Sequence, residues 1–510
     1  MESYLSPEQC FPNISELFSD VKRTRLSKVK LGVVFSERKV FTPDYGYVQY
    51  EKLLNVLNAD PNIEVVNLVD AGMPEGVPMA GDFDGVEAAI RLLQYKGTDA
   101  LLVGGINYAD EWSVGTIAAH VSRALRIPIF HYTWADASIK SDGERETDVE
   151  CGALPMGVYT GIRSGVKMDY FPLCNPESPE FSKALKEAIA VSSGIASMRN
   201  VRMLQVGAPE PTFMAIRGDF FTMEDLFDLK LVEEETATLI EFIRHGLIKH
   251  PDAFGDVMKD LSDNYDYSAV EGEFPDLQAK LALTLIWLAE MLKKKQCNSV
   301  TIRCWPELPA ILEMLVCSVN GILNDLGIPA PCETDLLGGI GLAFIDGLGI
   351  YDPVRLMFFA DYLRLYPTVQ EDKSVVGEWH CGPFGRCGLR GACAGCKGKI
   401  IKGWILPEKS AGPLDGDYGN LGDSITVVQF RPNEKRLITL TGYNGKIVEG
   451  PYTKGTHSWI EVDSGIYDFI NSNPVDHHGS CVIGNRLPLV KKAAKWIGLS
   501  TQPAFLDSLP

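Results

Sequence analysis

The chain has 510 residues, too many for a single hydrophobic core, so two or three domains are expected. Hydrophobic residues make up 45% of it and charged residues 23%, a composition typical of folded globular proteins rather than of disordered chains. The net charge of −19 argues against binding to nucleic acid or to an anionic membrane surface, because both partners require a basic face.

The sequence shows no pattern typical of membrane insertion or secretion. No segment has the roughly 18 uninterrupted apolar residues that would span a bilayer. The stretch MESYLSPEQCFPNISELF lacks the basic and apolar regions of a signal peptide. The 12 cysteines are scattered rather than concentrated in a small scaffold. We therefore expect a cytoplasmic protein whose cysteines are mostly reduced.

Strands and helices alternate over the first part of the chain. The predicted strands are 28–36, 62–70, 98–106 and 126–132, and the predicted helices are 45–59, 84–97 and 110–125. This alternation is typical of a parallel sheet covered on both faces. It predicts a Rossmann-like α/β domain over residues 1–165. No G-x-G-x-x-G motif follows the first strand, so NAD or FAD is not expected.

A second α/β pattern extends over residues 166–352. A strand is predicted from residue 201, followed by a helix over 276–295, a strand over 299–305 and a helix over 307–327. From residue 353 glycine-rich loops and short strands such as DSITVVQF and RLITLTGY follow, which predict a β-rich domain over 353–510. The expected fold class is therefore α/β, with two Rossmann-like doubly wound domains and a C-terminal β-rich domain.

Carboxylates follow two consecutive predicted strands. Glu307 comes directly after TIRCWP, and Glu333 and Asp335 occur in PCETD about one helix later. Buried carboxylates without a basic partner are costly, and no lysine or arginine occurs between Arg303 and Arg355. A divalent cation would remove this cost. For each acid alone, and most of all for Asp335, a cap at the start of a helix is the alternative.

Three histidines are candidates for the same site. His477 and His478 are adjacent in NPVDHHGSCVIGN, and neighbouring residues of a strand point to opposite faces. One of the two is therefore expected to reach the metal, and the other to line the pocket or pack. His380, in VGEWHCGPF, is a further pocket candidate, with a structural role as the alternative. Imidazole combined with carboxylates favours Mn²⁺ or a similar metal over Mg²⁺.

The motifs WPE, CETD, WHCG and DHHG, in this order after a Rossmann-like start, resemble the L-fucose isomerase and L-arabinose isomerase superfamily. The resemblance implies a metal-dependent aldose–ketose isomerase, usually with Mn²⁺, that assembles as a trimer or hexamer. By position, Glu307 resembles the first metal-binding carboxylate and catalytic base, and Glu333 or Asp335 the second carboxylate. His478 resembles the late ligand, with His477 as the alternative. The candidate substrate-binding residues are His380, His477, Trp379 and Arg386.

The reaction implied by this resemblance proceeds through an enediolate of an open-chain sugar. The metal would chelate the O1 and O2 oxygens and lower the cost of the negative charge. Glu307 would move a proton between C2 and C1, and Glu333 would move one between O1 and O2. Two alternatives remain open: a sugar-binding module without catalysis, and a metal-dependent sugar aldolase or epimerase.

The segment 380–399 departs from the family pattern because it is rich in cysteine and basic residues. Its members are Cys381, Cys387, Cys393, Cys396, Arg386, Arg390, Lys397 and Lys399. A structural zinc site is one reading, although the spacing does not match a zinc ribbon or finger. The basic residues could instead bind an anionic group of the substrate, such as a phosphate or sulfonate, or form a solvated loop.

Overall fold

The computed structural model describes residues 4–73, 76–78, 81–136, 139, 141–143, 149–165, 168–249, 254–352, 355–363 and 374–506. The chain forms two compact units. The large unit consists of Met1–Arg25 and Ser197–Pro510, and the N-terminal unit consists of Leu26–Ala196. Two short helices of the large unit, α1 (Pro7–Cys10) and α2 (Pro12–Leu17), precede the N-terminal unit. The division at residues 165 and 352 stays a prediction, and residue 353 lies outside the described residues.

The N-terminal unit contains a parallel five-stranded sheet in the order β2-β1-β3-β4-β5. Its strands are β1 Val29–Ser36, β2 Ile63–Val66, β3 Ala100–Gly105, β4 Ile129–His131 and β5 Asp169–Tyr170. Its helices are α3 Asp44–Ala59, α4 Phe83–Lys96, α5 Glu111–Leu125, α6 Val149–Ser164 and α7 Pro179–Arg199, the last of which continues into the large unit. The four strands and three helices predicted before residue 133 are confirmed, to within a few residues at their ends.

The large unit begins its own parallel sheet after α7. Three strands, in the order β7-β6-β9, form this sheet. The strands of this region are β6 Arg202–Val206, β7 Lys230–Glu234, β8 Tyr265–Asp266 and β9 Ser299–Ile302. The helices are α8 Phe220–Phe227, α9 Thr236–Lys249, α10 Gly255–Asn264, α11 Leu277–Lys295, α12 Glu307–Leu312, α13 Cys317–Asp325 and α14 Leu336–Gly347.

The single helix predicted over 307–327 is wrong, because the structure has α12 and α13 in its place. Glu313 has a left-handed backbone, with φ of 56°. The main-chain N–H of Leu315 then donates to the carbonyl of Ala411 at 2.8 Å. This long-range hydrogen bond replaces a helical one, so the helix is interrupted where it meets the C-terminal strands.

The C-terminal part is β-rich, as predicted. Its strands are β10 Met357–Leu363, β11 Ser374–His380, β12 Gly398–Lys402, β13 Ala411–Asp417, β14 Ser424–Pro432, β15 Ile438–Val448, β16 Thr456–Val462, β17 His478–Ile483 and β18 Ala504–Leu506. They form a mostly antiparallel sheet, β18-β15-β14-β17-β10-β11-β16-β13-β12-β8, and a further β15–β16 pairing makes it barrel-like. Two helices, α15 (Ile466–Ser472) and α16 (Leu487–Ile497), lie between these strands.

The fold is therefore mixed α/β, with two parallel sheets and an antiparallel C-terminal sheet. That each α/β part is a doubly wound Rossmann-like domain stays a prediction. None of the helices in the described part of the chain is long and apolar enough to cross a membrane.

Strand register in the C-terminal sheet brings distant residues together. In the pairing of β10 with β17, Asp361 is opposite His478. On its other side β10 pairs with β11, which ends at His380. Helix α14 lies close to β17, because a Cβ atom on Gly341 would stand only 2.4 Å from Oγ of Ser480. The absence of a side chain at Gly341 thus allows the start of α14 to reach the first residues of β17.

Candidate metal centre around His478

His478 lies at the centre of a buried group of carboxylates, and its side chain is 1% exposed. Its Nδ1 atom is 2.9 Å from Oδ2 of Asp335. Its Nε2 atom is 3.2 Å from Oε2 of Glu333 and 3.5 Å from Oδ1 of Asp361. All four residues belong to the large unit. One imidazole ring therefore joins three carboxylates from two segments of the chain, Glu333 and Asp335 before α14 and Asp361 in β10.

Glu333 is held beside the parallel sheet by a strand-like segment. Ile302, the last residue of β9, forms a parallel bridge with Cys332. Glu333 and Thr334 then have left-handed backbones, with φ of 61° and 63°. Such conformations cost residues other than glycine on the order of 1 kcal/mol or more each, and they are common at functional sites. The indole N–H of Trp305 donates to Oε1 of Glu333 at 2.9 Å and fixes the direction of its side chain.

Asp335 acts as a helix cap and as an ion-pair partner. Its Oδ1 accepts a hydrogen bond from the main-chain N–H of Gly338 at 2.8 Å, at the start of α14. Its Oδ2 is 2.6 Å from Nη2 of Arg431. The expectation that Asp335 has no basic partner is therefore wrong, because Arg431 reaches it from β14, 96 residues later in the chain. Its role as a metal ligand stays a prediction.

Glu307 is the first residue of α12, as predicted, and its side chain is 33% exposed. Its Oε2 atom is 3.1 Å from Nε of Arg303, so this acid also has a basic partner that the sequence reasoning did not assign. Among the described residues, Glu307 is not part of the two side-chain groups that could hold a metal ion. Its roles as metal ligand and catalytic base stay predictions.

His380 presents a proton to this group rather than a lone pair. Its Nδ1 accepts a hydrogen bond from the main-chain N–H of Cys381 at 2.9 Å. An imidazole that accepts at Nδ1 carries a proton on Nε2. Burial would lower the pKa of His380, but the charge of Asp361 outweighs burial and raises the pKa, which favours that proton. The Nε2 atom lies 3.8 Å from Oδ1 of Asp361. We therefore assign His380 as a hydrogen-bond donor to the site.

In His478 and His477, unlike in His380, the Nδ1 atom faces a carboxylate. Nδ1 of His478 faces Asp335, and Nδ1 of His477 is 2.6 Å from Oδ1 of Asp476. A carboxylate at Nδ1 holds the proton there and leaves Nε2 available, as in many metal sites. The two rings are neighbours, with centroids 4.1 Å apart, but His477 is 36% exposed whereas His478 is buried.

The charges of the group shift its pKa values strongly. Burial alone would raise the pKa of Glu333, but the contact with His478 and its charge outweigh burial and lower the pKa to about 2. Burial would lower the pKa of His478, but Asp335 and Glu333 outweigh it and raise the pKa to about 10. For Asp335, Arg431 and His478 outweigh burial and hold the pKa far below its usual range. Glu333 and Asp335 are therefore ionised and His478 is protonated at neutral pH.

Several buried atoms face one another here without a hydrogen bond to any described residue. They are Nε2 of His478, Nε2 of His380 and Oδ1 of Asp361. Buried polar atoms are normally satisfied, so a ligand is indicated. Ligand atoms of Glu333, His477 and His478 lie within 4.8 Å of one another, as do those of Asp361, His380 and His478. A cation beside Nε2 of His478 would have Glu333 and Asp361 within reach, and this mixture of carboxylate and imidazole suits Mn²⁺.

Two predicted substrate-binding residues lie in different surroundings. The ring of Trp379 is stacked on that of His380, with centroids 6.4 Å apart, so it adjoins the candidate site. Arg386 is 1% exposed, and its Nη2 donates to the carbonyl of Cys396 at 2.6 Å. It therefore supports the cysteine-rich segment from the inside, and a contact of Arg386 with substrate stays a prediction.

The four cysteines of that segment do not converge on one point. Cys393 and Cys396 form a disulfide. Sγ of Cys381 is 3.3 Å from Sγ of Cys317. Sγ of Cys387 instead contacts Sγ of Cys10, at 3.6 Å. The structural zinc reading is therefore not supported. The basic residue Arg390 pairs with Asp417 and Glu449, and Lys399 pairs with Asp415.

The sequence reasoning missed Asp361 and Arg431. Asp361 is a single acid in the apolar strand MFFADYL, and this contrast is the only local signal of its position. Arg431 ends the run SITVVQFR and is itself buried, like most residues of this strand. Isolated charges in strands of this kind are the pattern that could have drawn attention to both.

Comparisons with known proteins find similarity to one family. Residues 32–199 match the family described as fucose/sulfoquinovose isomerase, N-terminal domain. The chain is 23% identical over 229 residues to a sulfoquinovose isomerase of Priestia aryabhattai, covering 44% of this chain and 48% of that protein. It is 22% identical over 339 residues to a sulfoquinovose isomerase of Alkalicoccus urumqiensis, covering 62% and 71%.

The chain thus spans about half the length (48%) of the Priestia relatives that it matches. The family match covers nearly the whole N-terminal unit, whereas the carboxylates and histidines described above lie in the large unit. The motifs around Glu307, Glu333, His380 and His478 carry the resemblance in that second part of the chain. These findings confirm the resemblance to the fucose isomerase superfamily, and the family match lies in residues 32–199.

Proposed function

We propose that the protein is a metal-dependent aldose–ketose isomerase acting on an open-chain sugar. One observation carries the proposal: Nε2 of His478 stands within 3.5 Å of carboxylate oxygens of both Glu333 and Asp361, while Asp335 holds the other ring nitrogen. A buried imidazole oriented in this way is the usual arrangement of a histidine metal ligand. Cytoplasmic location and assembly into an oligomer belong to the same proposal.

The proposed ligands of the metal are His478, Glu333 and Asp361, with Mn²⁺ as the expected ion. When bound, a divalent cation supplies Lewis acidity that lowers the cost of negative charge on the sugar oxygens as the enediolate forms. Asp335 and Arg431 do not bind the ion in this proposal. They orient His478, because Arg431 keeps Asp335 ionised and Asp335 accepts the Nδ1 proton.

The side chains of this protein supply the proton transfers. Glu307 takes the proton from C2 of the aldose and returns it to C1, and Glu333 moves the proton between O1 and O2. Arg303 lies 3.1 Å from Glu307 and helps to fix the position of its carboxylate. His380 donates its Nε2 proton to a sugar oxygen, a role that follows from the hydrogen bond accepted at its Nδ1.

We propose an anionic hexose, with sulfoquinovose as the first candidate, as the substrate class. The proposal rests on the relatives, which are named as sulfoquinovose isomerases. Neutral sugars such as L-fucose and L- or D-arabinose are the alternatives. The aromatic ring of Phe213 lies 5.1 Å from the ring of His477 and 6.2 Å from that of Trp305, and gives the site an apolar side for a sugar carbon face.

The decisive experiment is an isomerase screen with metal-stripped protein. We expect ketose formation from sulfoquinovose after addition of Mn²⁺, little or no turnover with EDTA, and slower turnover of the neutral sugars. Product identity by NMR distinguishes a ketose from an epimer or from cleaved trioses. Thermal stabilisation by a sugar, with no turnover under any divalent metal, would overturn the isomerase and favour a sugar-binding module.

Metal binding is expected to compete with a proton on His478. Its pKa is raised to about 10 because the contacts with Asp335 and Glu333 outweigh burial, so Nε2 is protonated at neutral pH. An ion that binds Nε2 must displace that proton. We expect the Mn²⁺ affinity to rise by about tenfold per pH unit between pH 6 and 8.

Titration calorimetry in two buffers of different ionisation enthalpy measures this proton release. About one proton per ion is the expected value, and His478→Gln should abolish it. An exposed histidine on α9, His245, offers the matched control His245→Gln, which should leave the release unchanged. Binding that does not depend on pH would place the ion away from His478.

A further inference from the structure

A cavity lies in the large unit, and none of the described residues that line it belongs to the candidate metal centre. Its volume is about 460 Å³, which is in the range of small-molecule sites. The residues that give it its chemical character are Glu8, Gln9, Ser15, Arg23, Asp325 and Arg355. Two arginines therefore share one cavity in a protein whose net charge is −19.

Neither arginine is neutralised by a carboxylate among the described residues. Arg23 donates only to main-chain carbonyls, those of Leu326 at 2.8 Å, Phe18 at 3.2 Å and Val21. Arg355 forms no ion pair or hydrogen bond with the part of the chain that the structure describes. Burial, and then the charge of Arg355, lower the pKa of Arg23. The two guanidinium groups thus repel each other.

Two other arginines of the large unit form ion pairs with aspartates. Arg25 is 3.5 Å from Asp346, and Arg486 is 3.1 Å from Asp352. Arg355 differs from these two arginines because no carboxylate of the described residues pairs with it.

Two acids also line the cavity: the charge of Glu8 acts on Arg23, and burial raises the pKa of Asp325 to about 7, which weakens its negative charge. Glu8 is exposed, so water screens its carboxylate. Asp325 is fully buried and its Oδ2 accepts a hydrogen bond from the main-chain N–H of Cys387 at 3.0 Å. Oγ of Ser15 is buried without a hydrogen-bond partner among the described residues and can donate to a ligand.

We propose that this cavity binds a small molecule bearing a tetrahedral oxyanion, a phosphate or a sulfonate, held by Arg23 and Arg355. Guanidinium groups suit such anions because their planar N–H donors match two oxygens at once. The cavity volume accommodates the anion together with a group of about monosaccharide size. The ligand would bind apart from the residues proposed for catalysis, as an effector and not as the substrate.

Thermal unfolding of the full chain with inorganic phosphate tests the proposal directly. We expect phosphate to raise the unfolding midpoint by about 3 °C relative to sodium chloride at equal ionic strength. Arg355→Gln should abolish this rise. Arg244→Gln removes the same charge from an exposed position on α9 and should retain it. Methanesulfonate in a parallel series distinguishes a sulfonate ligand from a phosphate ligand.

Chemical modification locates the site without a variant. Phenylglyoxal should modify Arg355 in the wild-type protein, and phosphate should slow this reaction, as followed by mass spectrometry of the Arg355 peptide. Three results would each overturn the proposal. They are an equal rise of the unfolding midpoint with chloride, an undiminished rise with phosphate in Arg355→Gln, and no protection of Arg355 from phenylglyoxal by phosphate. Because the readout is binding and not turnover, its failure is distinguishable from failure of the isomerase proposal.

Discussion

Glu333→Gln is expected to lower kcat by about 10³-fold or more and to reduce the metal content of the purified protein. The substitution removes the negative charge that faces Nε2 of His478 at 3.2 Å, while it keeps the side-chain size and the acceptor for Trp305. A group that both binds the metal and transfers a proton contributes factors of this order. Turnover of the best substrate and elemental analysis of metal per chain measure the two effects.

Two other glutamates provide the comparison for this variant. Glu241→Gln, on the exposed side of α9, should leave both turnover and metal content unchanged. Glu307→Gln should lower turnover but retain the metal, because Glu307 is not part of either described ligand group. If Glu333→Gln keeps its metal and loses less than about tenfold in turnover, Glu333 is not a ligand.

Arg431→Met is expected to destabilise the protein by about 3–5 kcal/mol, the effect typical of removing one member of a buried ion pair. Arg431 is 3% exposed and lies 2.6 Å from Asp335 and 3.0 Å from Asp476. Methionine fills part of the volume but leaves two carboxylates without their cation. Urea denaturation followed by tryptophan fluorescence measures the loss in free energy of unfolding.

Lys259→Met is the matched control for this effect. Lys259 and Asp263 form an exposed ion pair on α10, with side chains 67% and 58% exposed, so its loss should cost less than about 0.5 kcal/mol. In the Arg431→Met background, Asp335→Asn should recover part of the stability, because it removes the uncompensated charge. A loss below about 1 kcal/mol in Arg431→Met would show that Asp335 is stabilised mainly by its helix cap.

Local sequence patterns were sufficient to predict the strands and helices before residue 133. Strand β3 is a continuous apolar run and β1 is mostly apolar, and α4 begins at the cap Asp82 and ends at Gly97 with a left-handed backbone. The same kind of reasoning failed at 313–316, where a hydrogen bond to Ala411 interrupts the predicted helix. Periodicity describes what a segment favours by itself, and it contains no information on a partner that is about 100 residues away.

The candidate site likewise contains residues that the sequence motifs identified and residues that they did not. Motif positions drew attention to Glu333 and His478, and the structure brings these two side chains together. Asp361 was missed because its importance depends on the register of β10 against β17, which places it opposite His478. Arg431 was missed for a related reason: its partner is 96 residues earlier, and only the packing of α14 on the C-terminal sheet joins them.

The division of the large unit has a consequence for the order in which the protein is built. Residues 4–25 leave the ribosome long before the residues that they contact: Asn13 binds Asp260, Cys10 contacts Cys387, and Tyr4 binds Asp423. The N-terminal unit, which is complete at Ala196, can fold in between. Residues 4–25 must therefore remain without these partners during synthesis. Their apolar side chains, such as Phe11 and Phe18, are then accessible to chaperones until the C-terminal strands have been synthesised.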